Sequence, residues 1–227
     1  WSSWDTYHPY GAFSSLFSQN ILSNLIRYKK DSIKTEGIEG DTAKSWTVSG
    51  DGKIYTFKIR QGVEWHDGKP FTSADAFYNL DRAMNPPETL ISWNRSRVAI
   101  IDKLETPDDQ TLKVTLKEVS NSFLPNMATP FMLMYPKHIP DMKQWHKRAT
   151  ATGPFRLMER TPEVYVLRKD DDYYDKDAAG RALPYLDGID FQVISDPAFA
   201  LSAFRTGRLH CGCAPGADFM TAVADQL

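Results

Sequence analysis

The tetrapeptide Ser49-Gly50-Asp51-Gly52, set between two strand-like runs, most narrows what this chain can fold into. Its glycines supply the positive φ angles of a tight turn. After it, residues 54–60 alternate, with Tyr55, Phe57 and Ile59 on one face and Thr56, Lys58 and Arg60 on the other. That period of two predicts a half-buried antiparallel strand, joined through the turn to residues 45–48. A second hairpin centres on Pro107-Asp108-Asp109. Its outgoing strand points Leu112, Val114 and Leu116 inward against Lys113, Thr115 and Lys117. Between the hairpins, Trp65-His66-Asp67-Gly68-Lys69-Pro70 reads as a turn built on Asp-Gly. Thr72 then caps a helix, with Asp75 in the acidic position of a capping box. Phe77, Leu80 and Met84 form its predicted buried stripe, and Asn85-Pro86-Pro87 stops it.

The flanks read differently. Residues 16–28 carry Phe17, Ile21, Leu25 and Tyr28 at helical spacing, widened by Leu22 and Ile26, and predict one helix. Residues 29–39 are polar and read as a loop or short edge strand. Residues 121–128 read as a short helix, and residues 131–135 as a short buried strand. Thr152-Gly153-Pro154 is a breaker. Residues 155–157 and 165–168 look like strands, and Ile189, Phe191 and Val193 alternate in another. Asp196-Pro197 sets a cap before a first-turn proline, Leu201 and Phe204 follow, and Gly207 ends that helix. Helices between strands predict an α/β layer here, against an antiparallel meander with one helix over residues 40–120. No internal repeat or low-complexity stretch occurs.

Composition excludes several classes. The 227 residues are enough for one large domain or two small ones. With 41% hydrophobic and 25% charged residues the chain is not disordered. Twenty-seven basic against 29 acidic residues give no electrostatic case for nucleic acid. No apolar run approaches the ~20 residues of a membrane span, the best being 98–101 and 131–135. The chain starts at Trp1 without a charged segment followed by an apolar one, so an exported form has its signal removed or left out. Cys211 and Cys213 lie too close for an unstrained disulfide and exclude a disulfide scaffold. With His210 they could hold a soft metal, but a zinc site wants four ligands, and buried or idle thiols are the plainer reading.

Enzyme signals are poor. Neither a Gly-x-Ser-x-Gly elbow, a phosphate-cradling loop nor a His-Glu-x-x-His helix is present. His8, His66, His138, His146 and His210 are scattered. His66 beside Asp67 suggests a base with its carboxylate, yet the Asp-Gly turn explains Asp67 better. Asp170-Asp171-Asp172 reads as a solvated acidic run. Trp1, Trp4, Tyr7, Tyr10 and Phe13 crowd the start of the chain, and read either as packing aromatics or as a ligand-facing rim.

Taken together, several motifs resemble one family. Ala43-Lys44-Ser45-Trp46 and the stretch from Val48 through Val63 are similar to a signature of the bacterial extracellular solute-binding proteins of the dipeptide, oligopeptide and nickel class. Trp65 to Ala76 continues it, as do Thr152-Gly153-Pro154-Phe155, Asp172-Tyr173-Tyr174, Pro184 to Ile189 and Arg205-Thr206-Gly207. Lys44, where an acidic residue is usual, and Cys211-Gly212-Cys213, in a strand usually acidic and aliphatic, depart from the pattern.

The resemblance implies a mixed α/β (α+β) fold of the periplasmic binding protein type, class II, with three subdomains. It divides the chain into a first-lobe part (1–29), an inserted accessory subdomain (30–148) and the first lobe continued (149–227), with the second lobe missing. It implies a monomeric, non-enzymatic receptor, periplasmic or extracellular and open to lipid anchoring. Such a receptor captures a peptide-like solute and delivers it to ABC permease subunits, with no cofactor or nucleic acid. An oligosaccharide or a nickel chelate is the alternative cargo. Segments 4–13, 90–97 and 131–136 are expected at the cleft, with Trp4, Tyr7, Phe13, Trp93, Arg95 and Met134 as ligand-binding residues. Trp93 equally reads as subdomain packing, and Met132 and Met134 as core.

Overall fold

The computed structural model describes residues 12–29, 37–87, 94–141, 145 and 148–211. Three sheets and five described helices surround one continuous apolar core. The first hairpin forms as the alternation predicts: β3 (Ala43–Val48) pairs with β4 (Ile54–Ile59), and Tyr55, Phe57 and Ile59 are buried. The second hairpin, β5 (Ile101–Asp108) and β6 (Thr111–Leu116), completes a four-stranded sheet in the order β3-β4-β6-β5, with Leu112, Val114 and Leu116 buried.

Helix α2 (Ser73–Met84) covers this sheet. The Asp75 carboxylate accepts from the Thr72 N–H at 3.0 Å and from its hydroxyl at 3.1 Å, which fixes the helix start. Its most buried side chains are Ala76, Asn79, Leu80 and Ala83 rather than the full stripe expected: Phe77 and Met84 are half-buried. Small residues at the contact let the helix lie close to the sheet. Helices α3 (Arg95–Val98) and α4 (Phe123–Met127) are short, and α4 delivers Phe123 against Tyr55 with ring centroids 4.7 Å apart.

Residues 16–28 do not form one helix. Helix α1 (Ala12–Ile21) ends early and Ile26–Tyr28 becomes β1, paired with β2 (Ile38–Gly40). The backbone groups that would continue the helix have tertiary partners instead. The Ser23 carbonyl accepts from Met134 N–H at 2.9 Å, that of Asn24 from Thr42 N–H at 3.0 Å, and that of Leu25 from Ala43 N–H at 2.9 Å. Leu22, Leu25 and Ile26 are buried in either conformation, so periodicity alone could not separate them.

Among the described residues beyond Gly153 the expected α/β layer is absent. β7 (Phe155–Arg160), β8 (Val164–Lys169) and β9 (Gly188–Gln192) form an antiparallel meander, with turns rather than a helix between β8 and β9. Helix α5 (Pro197–Arg205) follows, its Asp196 carboxylate accepting from Ala198 N–H at 2.8 Å and Phe199 N–H at 3.0 Å. Every strand pairing among the described residues is antiparallel.

The return point explains its glycine. Gly153 N–H donates to the Ile21 carbonyl at 2.8 Å, and a Cβ here would stand 2.5 Å from backbone atoms of Ile21. Phe17 packs on Tyr165 with centroids 5.4 Å apart, which carries the core across from α1 to β8. No described helix is long and apolar enough to cross a membrane.

Candidate ligand-binding face

Two of the three segments expected at the cleft meet. Asn94, fully buried, precedes α3, and its carbonyl accepts the Arg97 and Val98 N–H groups at 3.0 and 3.2 Å. Its side-chain amide donates to the Phe131 carbonyl at 2.6 Å, and its amide oxygen accepts from Arg97 Nη1 at 3.2 Å. Arg97 is thereby held with its guanidinium carbon 5.0 Å from the centre of the Phe131 ring. Val98 anchors the short helix in the core, leaving Arg95 and Ser96 exposed beside this pair.

Residues 131–135 do not pair as a strand. Asn24 and Leu133 form a single bridge, and the rest of the segment is clamped by side chains. The Asn24 amide donates to the Thr129 carbonyl at 2.9 Å. Asn79 brackets Tyr135, donating to its carbonyl at 2.8 Å and accepting from its N–H at 2.9 Å. Met132 and Met134 are fully buried behind the face, while Phe131 is 43% exposed.

The face therefore offers guanidinium groups next to an open aromatic ring. A guanidinium takes a carboxylate through two parallel hydrogen bonds, and the ring takes an apolar group.

A largely buried ionic hub centres on Arg27. Arg27 on β1 donates to Glu39 at 2.8 Å, Asp41 at 2.9 Å and Asp175 at 2.7 Å. Asp41 also accepts from the Tyr174 hydroxyl at 2.6 Å and the Asn24 N–H at 2.8 Å. Burial pushes the Asp41 carboxyl above its ordinary value, against Arg27 and these donors. Burial also opposes the Arg27 charge, but its carboxylate partners overcome that and raise its pKa. Burial raises Tyr174 as well, so its hydroxyl stays a donor. The hub ties β1, β2 and the 173–175 segment together, and through Asn24 it reaches Thr129 and Leu133.

The sequence profile of the bacterial extracellular solute-binding proteins, family 5 Middle, matches residues 37–226. The chain belongs to this family. A Brucella ovis protein named as an ABC transporter peptide-binding protein is 32% identical over 228 residues, covering 95% of this chain and 42% of that protein. The solved Agrobacterium periplasmic binding protein in complex with agropinic acid is 29% identical, with a TM-score of 0.77, over 92% of this chain and 40% of that one. A Helicobacter pylori periplasmic binding protein in complex with the peptide STSA is 26% identical, also with a TM-score of 0.77, over 92% and 43%. The chain spans about two fifths of the length of the curated relatives it matches. Its fold is that of a periplasmic binding protein over this part of their length.

Of the residues read from the family pattern, Arg95 lies exposed on the face and Met134 does not reach it. Met134 is fully enclosed, with its backbone N–H committed to Ser23, so its place is in the core. Phe13 falls within α1, with its side chain outside the described residues; Trp4, Tyr7 and Trp93 also lie outside them. Phe131, Arg97 and Asn94 lie in the segments expected at the cleft but were not singled out there. Phe131 was hidden in a run read as a buried strand, and the buried Asn94 announces itself only by preceding a short helix.

Other motifs resolve locally. His66 and Asp67 face opposite ways, His66 toward Gly153 and Asp67 toward His138, so they are not a base with its carboxylate. The acidic run is not uniformly solvated: Asp170 is buried under Arg156, whereas Asp171 and Asp172 are exposed. Cys211 is a free, exposed thiol and Cys213 lies outside the described residues. Among the described residues no group of three or more His, Cys, Asp or Glu side chains could hold a metal ion.

Proposed function

We propose that this chain is part of a solute-binding receptor of an ABC importer. The receptor captures a peptide-like small solute outside the inner membrane and hands it to the permease by binding and release, without turnover. The 32% identity to a protein named for peptide binding carries this reading, joined by the STSA complex of a structural relative. The Arg95–Arg97–Phe131 face fits it chemically: guanidinium for a peptide carboxylate, an open ring for an apolar side chain. Residues 30–148 then form an accessory unit inserted between the two parts of a first lobe, with Trp4, Tyr7, Phe13 and Trp93 completing the ligand wall.

A second cargo class is favoured by the agropinic acid complex of an equally similar fold. That ligand class also presents carboxylate, so Arg95 suits it as well. Uptake of labelled tetrapeptide by cells of the source bacterium, with and without the encoding gene, tests the peptide reading. Loss of peptide uptake on deletion supports it. Intact peptide uptake with loss of opine uptake transfers the receptor to the second class.

A further inference from the structure

The sequence holds three Asp-Gly dipeptides, at residues 51–52, 67–68 and 187–188, and the fold holds them differently. An aspartate carboxyl can be attacked by the backbone nitrogen of the next residue, and glycine, with no Cβ, leaves that nitrogen uncrowded. The attack needs a reachable carboxyl, an uncommitted N–H and a backbone that can turn. In the first two dipeptides a closed turn commits both groups. Gly52 N–H donates to the Ser49 carbonyl at 2.9 Å, while the Asp51 carboxylate accepts from the Ser49 hydroxyl at 2.5 Å and from Lys53 N–H at 3.1 Å. Gly68 N–H donates to the Trp65 carbonyl at 2.7 Å, and the Asp67 carboxylate accepts from His138 Nε2 at 2.7 Å.

The third dipeptide is open at each point. The Asp187 side chain is 91% exposed, and its side-chain partner among the described residues, Lys169 Nζ at 3.1 Å, is itself 41% exposed. Such a surface pair holds a carboxylate weakly. Lys169 N–H donates to the Asp187 carbonyl at 3.0 Å and Val193 N–H to the Glu163 carbonyl at 2.7 Å, so the odd-numbered residues of β9 bond to β8. Gly188 therefore stands opposite Arg168 in a pair without hydrogen bonds, its N–H on the outer side of β9, where no described strand pairs. The two residues before Asp187, Tyr185 and Leu186, are also exposed, so the entry to β9 is uncovered among the described residues.

We infer that Asp187-Gly188 is a site of spontaneous modification, at which the aspartate isomerises to isoaspartate. The Gly188 nitrogen bonds to Asp187 Cγ; the nitrogen gives up its proton and the carboxyl its OH, which leave together as water, and a five-membered succinimide remains. Water then adds back. Opening at Cγ restores aspartate, whereas opening at the former main-chain carbonyl leaves the chain running through Cγ. The water released equals the water consumed, and nothing is oxidised or reduced. In the product the oxygen that accepts Lys169 N–H belongs to a free carboxylate, and the main chain is one methylene longer at the entrance to β9. The β8–β9 ladder, which sets Phe191 against Phe17 with centroids 6.0 Å apart, loses its first rung.

Ageing this chain at neutral pH tests the site, in native buffer and in guanidinium chloride, until the unfolded sample has formed isoaspartate at all three dipeptides. Peptide mapping that separates the isomers reads each position. The native protein should accumulate isoaspartate at Asp187 at least about tenfold faster than at Asp51 or Asp67. That ratio is a barrier difference of about 1.4 kcal/mol, which the hydrogen bonds broken in the two closed turns supply. The aged fraction should lose amide protection at Lys169. Asp187→Glu, whose longer side chain cannot close the five-membered ring, should keep it. Equal accumulation at the three positions, or none at Asp187 in the native protein over that period, overturns the site. Isoaspartate at Asp187 with Lys169 still protected refutes the damage to the ladder.

Discussion

Replacing Arg27 with Met tests the ionic hub most sharply. One guanidinium, 18% exposed, is shared by Glu39, Asp41 and Asp175, and Asp41 is buried. Without the cation, three carboxylates face one another with no counter-charge. Removing one partner of a buried pair costs about 3–5 kcal/mol, because the remaining charge is stranded. At about 2–4 °C per kcal/mol for a chain of this size, melting should fall by roughly 10 °C. The loss should depend on pH. Asp41 is already raised above 3.8, and removing Arg27, which lowers it, raises it further. A raised carboxyl contributes stability that is present below its unfolded pKa and lost as pH rises through the folded one. The gap between variant and wild type should therefore be widest near neutrality and shrink toward about pH 4. Urea denaturation at both pH values reads it. A loss under about 1 kcal/mol, or a gap unchanged by pH, would show that the hub is not stabilised as described.

Gly153→Ala should lower the urea midpoint by the equivalent of about 1–3 kcal/mol, because its Cβ would meet the Ile21 backbone at 2.5 Å; an unchanged midpoint would mean that the return segment can shift freely. Met134→Ala should cost about 2–5 kcal/mol as a core truncation, whereas Arg95→Ala, on the exposed face, should change stability by no more than about 0.5 kcal/mol. Thermal melts of both compare core with face, and the reverse order would return Met134 to the ligand wall.

Local chemistry was legible wherever it was self-contained. The capping box at Thr72 and Asp75, the Asp196-Pro197 start, and both hairpins formed from neighbours within a few residues, and the longer-range pairing of β4 with β6 adds to the hairpins without altering them. Residues 22–28 failed for the opposite reason. Their burial pattern satisfies helix and strand alike, and partners in residues 40–43 and at 134 decided the outcome. The antiparallel meander after Gly153 was misread because the helix that starts at Asp196-Pro197 was taken as one of several between strands, whereas it follows all three strands of the meander.

The candidate face was half legible. Arg95 was named from the family pattern and is exposed, but the pairing of Asn94 with Phe131 is a contact across 37 residues that no local spacing encodes. Arg27 shows the same limit at longer range, since its partner Asp175 lies 148 residues away.

Calorimetry with the peptide STSA and with agropinic acid tests the receptor reading most directly. It would be run on this chain and on a protein extended to the length of its relatives, each with and without Arg95→Ala. A cleft encloses 70–90% or more of a small ligand between its walls. The account therefore predicts saturable peptide binding by the longer protein, weakened at least tenfold by Arg95→Ala, or about 1.4 kcal/mol, and little or none by this chain alone. Binding of agropinic acid without peptide, or peptide binding indifferent to Arg95, would contradict it.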